Sequence, residues 1–290
     1  MKITVFTPTY NRAYTIEKLY RSLQRQSVSN FEWLVIDDGS IDNTEELFKT
    51  WQQNENLFPI RYYKQKNGGK CSAINRGLAL ASGTLFFTVD SDDYLTDDAL
   101  EKVLRWEAEL PKDQKYCGLA ANLGTSLNIT LNSLFDEDYF DGTALDRYGR
   151  VNGERAMIFY TDIHRKYLYP VFPDENFMTE AVAWNRMAHD GYKMRFYNDI
   201  IWVYEYKEDG LTKAGSSVFL NNPKGYGLWL REKAEFERIG LMGKLKMYYT
   251  FTCDLSNRLS NQEIARCIGT NSFLIASCNA IHRLNQIIRK

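Results

Sequence analysis

Leu85-Phe86-Phe87-Thr88-Val89-Asp90-Ser91-Asp92-Asp93-Tyr94 sets an apolar run directly against three carboxylates. Residues 85–89 read as a buried strand, so the acids fall where the chain leaves its sheet. Carboxylates this close raise one another's pKa unless a cation neutralises them, and a divalent metal ion is the economical neutraliser. Two protein oxygens, completed by waters and phosphate oxygens, is a common way for Mg²⁺ or Mn²⁺ to meet a nucleotide. The competing reading is a solvated turn that caps a helix beginning near Thr96-Asp97-Asp98.

Upstream, the order of strand and then polar cluster recurs. Residues 2–7 read as a buried parallel strand that Pro8 should end, because proline has no N–H for a central ladder. Thr9-Tyr10-Asn11-Arg12 follows, then a helix with Ile16, Leu19, Tyr20 and Leu23 on one face. A second strand, 31–36, runs into Asp37-Asp38-Gly39-Ser40. Asp42-Asn43-Thr44 caps a helix through Trp51, and 60–63 is a short third strand. Asn67-Gly68-Gly69-Lys70 then opens a helix from about Cys71 to Leu80, its glycines allowing a tight backbone path. Strand, helix and strand joined by short links imply right-handed parallel crossovers. The polar clusters fall at the carboxyl ends of strands, the edge where open α/β sheets bind ligands.

Downstream, a helix is expected over 96–109, a strand over 115–121, and a long loop with a short helix over 124–153. Strands at 155–160 and 194–203 flank a helix over 179–188, with Pro170 and Pro173 bracketing an irregular stretch. Beyond Gly215 the segments 228–239, 242–255 and 263–288 are apolar-periodic and glycine-poor, the texture of two or three packed helices. The expected organisation is α/β: a mostly parallel sheet flanked by helices in a domain over 1–215, then a helical extension over 216–290. Within that domain a first half over 1–95 and a second over 96–215 are expected.

Composition narrows the function. A net charge of -1 over 290 residues lacks the basic footprint that a nucleic-acid partner requires. Five widely spaced cysteines, with no Cys-x-x-Cys pair, fit a reduced cytoplasmic compartment better than a disulfide framework or a zinc site. No window approaches the ~18 consecutive apolar residues of a transmembrane helix. The three histidines, His164, His189 and His282, share no metal-ligand spacing.

At four separated positions the chain resembles the family 2 glycosyltransferases, which have the GT-A fold. Pro8-Thr9-Tyr10-Asn11-Arg12, Asp37-Asp38-Gly39-Ser40, Asn67-Gly68-Gly69 before a helix containing Asn75 and Gly77, and Asp90-Ser91-Asp92-Asp93 match its nucleotide-binding half in order and spacing. The resemblance implies a Rossmann-like sheet and a nucleotide-sugar donor, favouring a UDP-sugar. Backbone around Thr7, Pro8, Thr9 and Tyr10, with Asn11, Arg12, Asn67, Gly68 and Ser91, would line the nucleotide. Asp38, with Asp37 as second choice, would accept from a uracil N3–H. Asp92 would hold Mn²⁺ or Mg²⁺, with Asp90 near the ribose or sharing the metal, and Lys70 or Arg76 would add positive charge.

Transfer also needs a base for the acceptor hydroxyl, since a neutral alcohol is a poor nucleophile. In the family this base belongs to an acidic pair at a helix start, here Thr179-Glu180-Ala181. Glu180 takes the first acidic position and Ala181 stands where many members have aspartate, which leaves Asp174 and Glu175 as alternatives to Glu180. Inversion in a single displacement follows from the same resemblance, and no protein nucleophile is needed. Arg155, His164, Arg165 and Lys166 fall on the expected acceptor side. Residues 205–212 resemble a segment of a bacterial subset of the family that could close over the donor diphosphate, or form a plain loop.

The acceptor so implied is a hydroxyl of a glycan or lipid-linked glycan in surface polysaccharide synthesis. The rivals are a nucleotide-sugar-binding scaffold without turnover and a nucleotidyltransferase. Against the latter, Pro8-Thr9-Tyr10-Asn11 lacks the glycine- and arginine-rich phosphate loop expected after the first strand. Met247-Tyr248-Tyr249 and Phe273-Leu274-Ile275, with a basic end of His282, Arg283, Arg289 and Lys290, leave two readings of the last helices. Either they pack into the protein, or they make a peripheral contact with the inner face of a membrane.

Overall fold

The computed structural model describes residues 1–146, 153–206 and 215–288. They fall into two compact units, one of Met1–Leu168 with Arg186–Glu208, the other of Tyr169–Asn185 with Asp209–Lys290.

The first unit begins β1 (Ile3–Thr9), α1 (Glu17–Gln24), β2 (Phe31–Asp37), α2 (Thr44–Gln53), β3 (Ile60–Lys64), α3 (Lys70–Leu80), β4 (Leu85–Thr88). It continues β5 (Tyr94–Leu95), α4 (Ala99–Ala108), β6 (Tyr116–Ser126), β7 (Ile129–Thr130), β8 (Tyr139–Gly142), β9 (Arg155–Tyr160) and α5 (Thr161–His164). After α6 (Ala181–His189) comes β10 (Lys193–Val203). The sheet order is β3-β2-β1-β4-β9-β6-β10-β5, with β7 on β6 and β8 on β10. Strands β3, β2, β1 and β4 are parallel, as the alternation of apolar strands and amphipathic helices requires. Beyond them β9 runs antiparallel between β4 and β6, and β6 pairs β10 in parallel.

Two departures from the sequence-based expectation have physical reasons. Strand β1 does not stop before Pro8 but continues to Thr9. Phe6 O accepts from Val89 N on the β4 side, and Thr9 O accepts from Asp38 N on the β2 side. The alternation turns the Pro8 nitrogen toward β4, which pairs with β1 only as far as Thr88, so no ladder bond is lost. The other departure lies in 124–153, where the described residues form the end of β6 and all of β7 and β8. Asn132 organises this region by accepting from Leu123 N at 2.8 Å and donating to Glu154 O.

Aromatic packing under the parallel half fixes α1 and α2 on the sheet. Trp33 lies 5.1 Å from Phe48 and 5.9 Å from both Tyr20 and Trp51, ring centre to ring centre, and all four rings are buried. On α3, Gly77 admits Phe6 so closely that a Cβ there would stand 2.2 Å from the ring.

In the second unit α7 (Ser217–Leu220) precedes α8 (Pro223–Phe236), α9 (Leu241–Leu255), α10 (Asn261–Ile268) and α11 (Ser272–Ile288). The single helix expected over 263–288 is thus two. Gly269, at φ +72°, ends α10 in the left-handed conformation. Ser260 opens α10 with a reciprocal cap, in which Ser260 accepts from Glu263 N and Glu263 from Ser260 N. Phe251, Leu255, Ile264, Ile268 and Ile275 form a separate small core, against which Met247 and Tyr248 pack. No helix among the described residues is long and apolar enough to cross a membrane.

Candidate active site

The loops after β1, β2 and β4 and the N-terminus of α3 are tied together by side chains. Asn11, at φ +52°, donates its N–H to Ser40 Oγ at 2.8 Å while its Oδ1 accepts from Ile41 N at 2.8 Å. That left-handed turn, which asparagine tolerates, fastens the first loop to the second. Thr15 Oγ1 donates to Ser91 O at 3.1 Å and fastens the start of α1 to the acidic loop.

Asp37 and Asp38 divide the work of the second loop. Asp37 is fully buried and accepts from Ser40 N at 2.7 Å and from Tyr62 Oη. Asp38 accepts from Gly69 N at 2.7 Å, from Gly68 N at 3.0 Å and from Gln65 Nε2 at 2.7 Å. Burial, with the charge of Asp37 in support, raises the Asp38 pKa against the pull of those donors. The Asp38 carboxylate therefore holds the glycine turn in place, and Gly69, at φ +86°, makes that turn at the N-terminus of α3. Gly68 N also reaches Asp38 Oδ2 at 3.2 Å, so each oxygen of that carboxylate accepts two hydrogen bonds.

Lys70, the first residue of α3, places Nζ 2.8 Å from Asp90 Oδ1. Arg12 Nη2 lies 3.9 Å from Asp92 Oδ2. Burial first, then the neighbouring Asp90 charge, raise the Asp92 pKa, against the pull of Arg12 and Lys70. Asp93 turns away from this group: its Oδ2 accepts from Trp202 Nε1 at 2.7 Å and its Oδ1 from Glu205 N at 2.9 Å. Burial and the Asp90 charge push the Asp93 pKa up to about 8.

The structure therefore brings together Arg12, Asp38, Gly68, Lys70, Asp90, Ser91 and Asp92, with Asn11 as the tie. Thr9 is buried, and its hydroxyl has no hydrogen-bond partner among the described residues. Thr7 contributes only backbone, because its Oγ1 accepts from Trp33 Nε1 at 3.0 Å in the core. Pro8 is half-buried, while Tyr10 and Asn67 are exposed. Arg76 donates to Lys64 O at 2.9 Å, whereas Lys70 meets Asp90 and Arg12 stands beside Asp92. Glu180 belongs to the second unit, half-buried and one residue before α6. Within that unit Asp174 pairs with Lys224 Nζ, and Glu175 accepts from Lys224 N at 2.7 Å and Gly225 N at 2.8 Å, capping α8.

Three residues expected on the acceptor side are structural. Arg155 is buried and donates to Asn122 Oδ1 and Ser133 O, and His164 is buried against Phe86 and Phe159. Arg165 donates to Leu78 O and Ala81 O at 2.8 and 2.7 Å. Of the segment 205–212, residues 207–212 lie outside the described residues; Glu205 pairs with Lys18 at 2.6 Å. Sequence reasoning missed Gln65 and the anchoring role of Asp93. Gln65 carried no motif, whereas Asp93 could be suspected as a third acid where two suffice for a metal.

Asp90 and Asp92 are hard oxygen donors of the kind a divalent cation takes. No cluster of three or more His, Cys, Asp or Glu side chains among the described residues is placed to hold a metal by itself. Asp92, with Asp90 beside it, offers hard oxygens whose mutual repulsion a cation would relieve, and diphosphate and water would complete its shell.

Fold and sequence comparisons agree on the class. The structure of S. aureus TarS 1-349 in complex with UDP-GlcNAc has a TM-score of 0.65 and 17% identity, covering 98% of this chain and 92% of that one. A mannosyltransferase, PcManGT from Pyrobaculum calidifontis, in complex with GDP-Man and Mn2+, has a TM-score of 0.56 and 17% identity, over 98% of this chain and 80% of that one. The architecture is the GT-A fold. The glycosyl transferase family 2 model matches residues 4–175, and the chain belongs to that family. The glycosyltransferase GlyA of Streptococcus pneumoniae is 34% identical over 234 residues, 76% of this chain. This chain spans 33% of the length of that relative.

Proposed function

We propose that this protein transfers a sugar from a UDP-sugar to a hydroxyl of a glycan or glycolipid in surface polysaccharide synthesis, inverting the anomeric carbon with the help of Mn²⁺ or Mg²⁺. The observation that carries the reading is the arrangement of Lys70 on Asp90 and Arg12 beside Asp92 at the carboxyl edge of the parallel strands. Asp92, with Asp90, would hold the metal ion, which when bound stabilises the departing diphosphate.

The other roles belong to the chain. Asp38 holds Gly68 and Gly69 in place and accepts from the uracil N3–H at Oδ2, in exchange for the long 3.2 Å arm of the bifurcated Gly68 N–H. The buried Thr9 hydroxyl, which has no hydrogen-bond partner among the described residues, is available to the donor. Lys70 shifts from Asp90 toward phosphate oxygens as the donor binds. Glu180 takes the proton from the acceptor hydroxyl. The new bond forms from the acceptor oxygen to the anomeric carbon as the bond to the nucleoside diphosphate breaks, so the configuration inverts. The base role is given to Glu180 for its position, one residue before α6, where the family resemblance puts the first acid of the pair; Glu175 caps α8 and Asp174 pairs with Lys224. The functional division into 1–95, 96–215 and 216–290 is part of this reading, as is a reducing, cytoplasmic setting in keeping with five cysteines that form no disulfide.

The test is a thermal-shift screen of nucleotides and nucleotide sugars with Mn²⁺, followed by release of nucleoside diphosphate with and without EDTA. UDP compounds should give the largest stabilisation and EDTA should stop release. Glu180→Gln should bind UDP and lose turnover. A protein stabilised by no UDP compound contradicts the donor assignment, and one that binds UDP without turning over any donor in a broad panel contradicts the transferase reading.

A further inference from the structure

Helix α8 and the segment that leads to Glu180 exchange caps. Residues 175–179 belong to no helix or strand, so no ladder takes their backbone N–H groups. Asn222 Oδ1 takes two of them, accepting from Asn176 N at 3.0 Å and from Phe177 N at 3.1 Å. Asn222 stands at the N-cap of α8, where an asparagine ordinarily accepts from N–H groups of its own first turn, and it makes no such bond. The N–H groups it forgoes go to Glu175, which accepts from Lys224 N at 2.7 Å and from Gly225 N at 2.8 Å. The Asn222 carboxamide is buried, and its Nδ2 donates to Val218 O at 2.8 Å, which fixes its orientation.

The stability of α8 does not call for this exchange, because Asn222 could cap its own helix. What the exchange adds is a fixed path for 175–177. The Phe177 ring lies 5.3 Å from that of Phe219, and α8 comes so close that a Cβ on Gly225 would stand 3.1 Å from Phe177 O. Only the buried Met178 and Thr179 separate Phe177 from Glu180. Just past Glu180 the chain is fixed again, as Thr179 Oγ1 accepts from Ala181 N at 3.3 Å and Thr179 O from Val182 N at 3.2 Å. Glu180 is thus held from both directions, by the clasp before it and by the first turn of α6 after it.

We propose that Asn222 is a positioning residue for sugar transfer: its clasp with the 175–177 segment sets the place of Glu180, and the helical extension contributes to the rate through that carboxylate. The inference rests on Glu180 as the base of the transfer reading. A base works within hydrogen-bond reach of the proton it takes, about 2.6–3.2 Å, and a displacement of about 1 Å can cost a hundredfold in rate. Slack in the clasp therefore lowers turnover and leaves donor binding alone, since the groups that face the donor belong to the first unit.

The experiment compares wild type, Asn222→Ala, Glu180→Gln and the double variant. It measures release of UDP, with Mn²⁺, from the UDP-sugar that wild type turns over, and UDP affinity by calorimetry. Asn222→Ala should lower kcat at least about tenfold while UDP affinity and the donor KM stay within about twofold, a split that general loosening would not give. In the Glu180→Gln background the same change should cost less than about threefold, because a base that is absent cannot be misplaced. Circular dichroism and melting curves establish that each variant is folded. Should Asn222→Ala fail to fold, Glu175→Ala, at a half-buried site that water can reach, carries the test, with an expected loss of at least about fivefold that disappears in Glu180→Gln. Losses that multiply in the double variant, or a folded Asn222→Ala at the wild-type kcat, overturn the proposal and leave the base assignment standing. Glu180→Gln at the wild-type rate contradicts the base assignment itself, and the proposal with it.

Discussion

The carboxylate of Asp93 accepts the indole N–H of Trp202 at 2.7 Å, across 109 residues of sequence, and so ties the acidic loop after β4 to the far end of β10. Its neighbour Asp92 makes no such tie and faces Arg12. Two adjacent aspartates therefore have opposite duties. Asp93→Ala leaves a buried indole N–H and the Glu205 N–H without an acceptor, and should cost about 2–4 kcal/mol of stability. Chemical denaturation measures it, and a loss within experimental error would mean that water replaces the carboxylate.

Asp38 anchors the glycine turn by accepting from Gly68 N, Gly69 N and Gln65 Nε2. Asp38→Ala frees that turn and removes the proposed uracil acceptor at once. The variant should lose about 1–3 kcal/mol of stability and at least about tenfold in UDP affinity by calorimetry. Gln65→Ala, which touches the anchor alone, should keep most of the affinity. Equal losses in the two would make Asp38 purely structural.

His164 is fully buried between Phe86 and Phe159, and burial pushes its pKa from 6.5 down to about 3. Between about pH 6.5 and 3 the unfolded chain binds a proton that the folded one does not. Its contribution is therefore fully present above pH 6.5 and is lost as pH falls from 6.5 toward 3. The slope over that window should reach about 1.4 kcal/mol per pH unit for this group. His164→Gln should flatten the fall of the melting temperature between pH 6.5 and the acid limit, and an unchanged pH profile would contradict the assignment.

The parallel half of the sheet was legible because local and global signals agree there. Apolar strands, amphipathic helices and glycine-bearing loops alternate at the spacing that a crossover unit demands. The acidic loop was legible because charge so close to a buried strand needs a reason. What was missed depends on contacts distant in sequence. Nothing near Pro8 announces that its nitrogen faces a side where β4 has ended, so the strand was expected to stop there. Gln65 and Trp202 acquire meaning only once the sheet brings Asp38 and Asp93 to them. The break in the last helix was legible in hindsight from Gly269, yet the apolar periodicity ran across it. Arg155 and Arg165 show the converse error, since charges expected to face an acceptor satisfy backbone carbonyls instead.

The central claim is that the acidic loop holds the metal end of a donor site through Asp92. The direct measurement is Mn²⁺-dependent release of UDP from a UDP-sugar by wild type and Asp92→Asn, with melting temperatures taken alongside. The account predicts that Asp92→Asn melts within about 0.5 kcal/mol of wild type, since among the described residues no buried donor hydrogen-bonds to that carboxylate, and that its release falls by at least about a hundredfold. Full, EDTA-sensitive activity in a folded Asp92→Asn would contradict it.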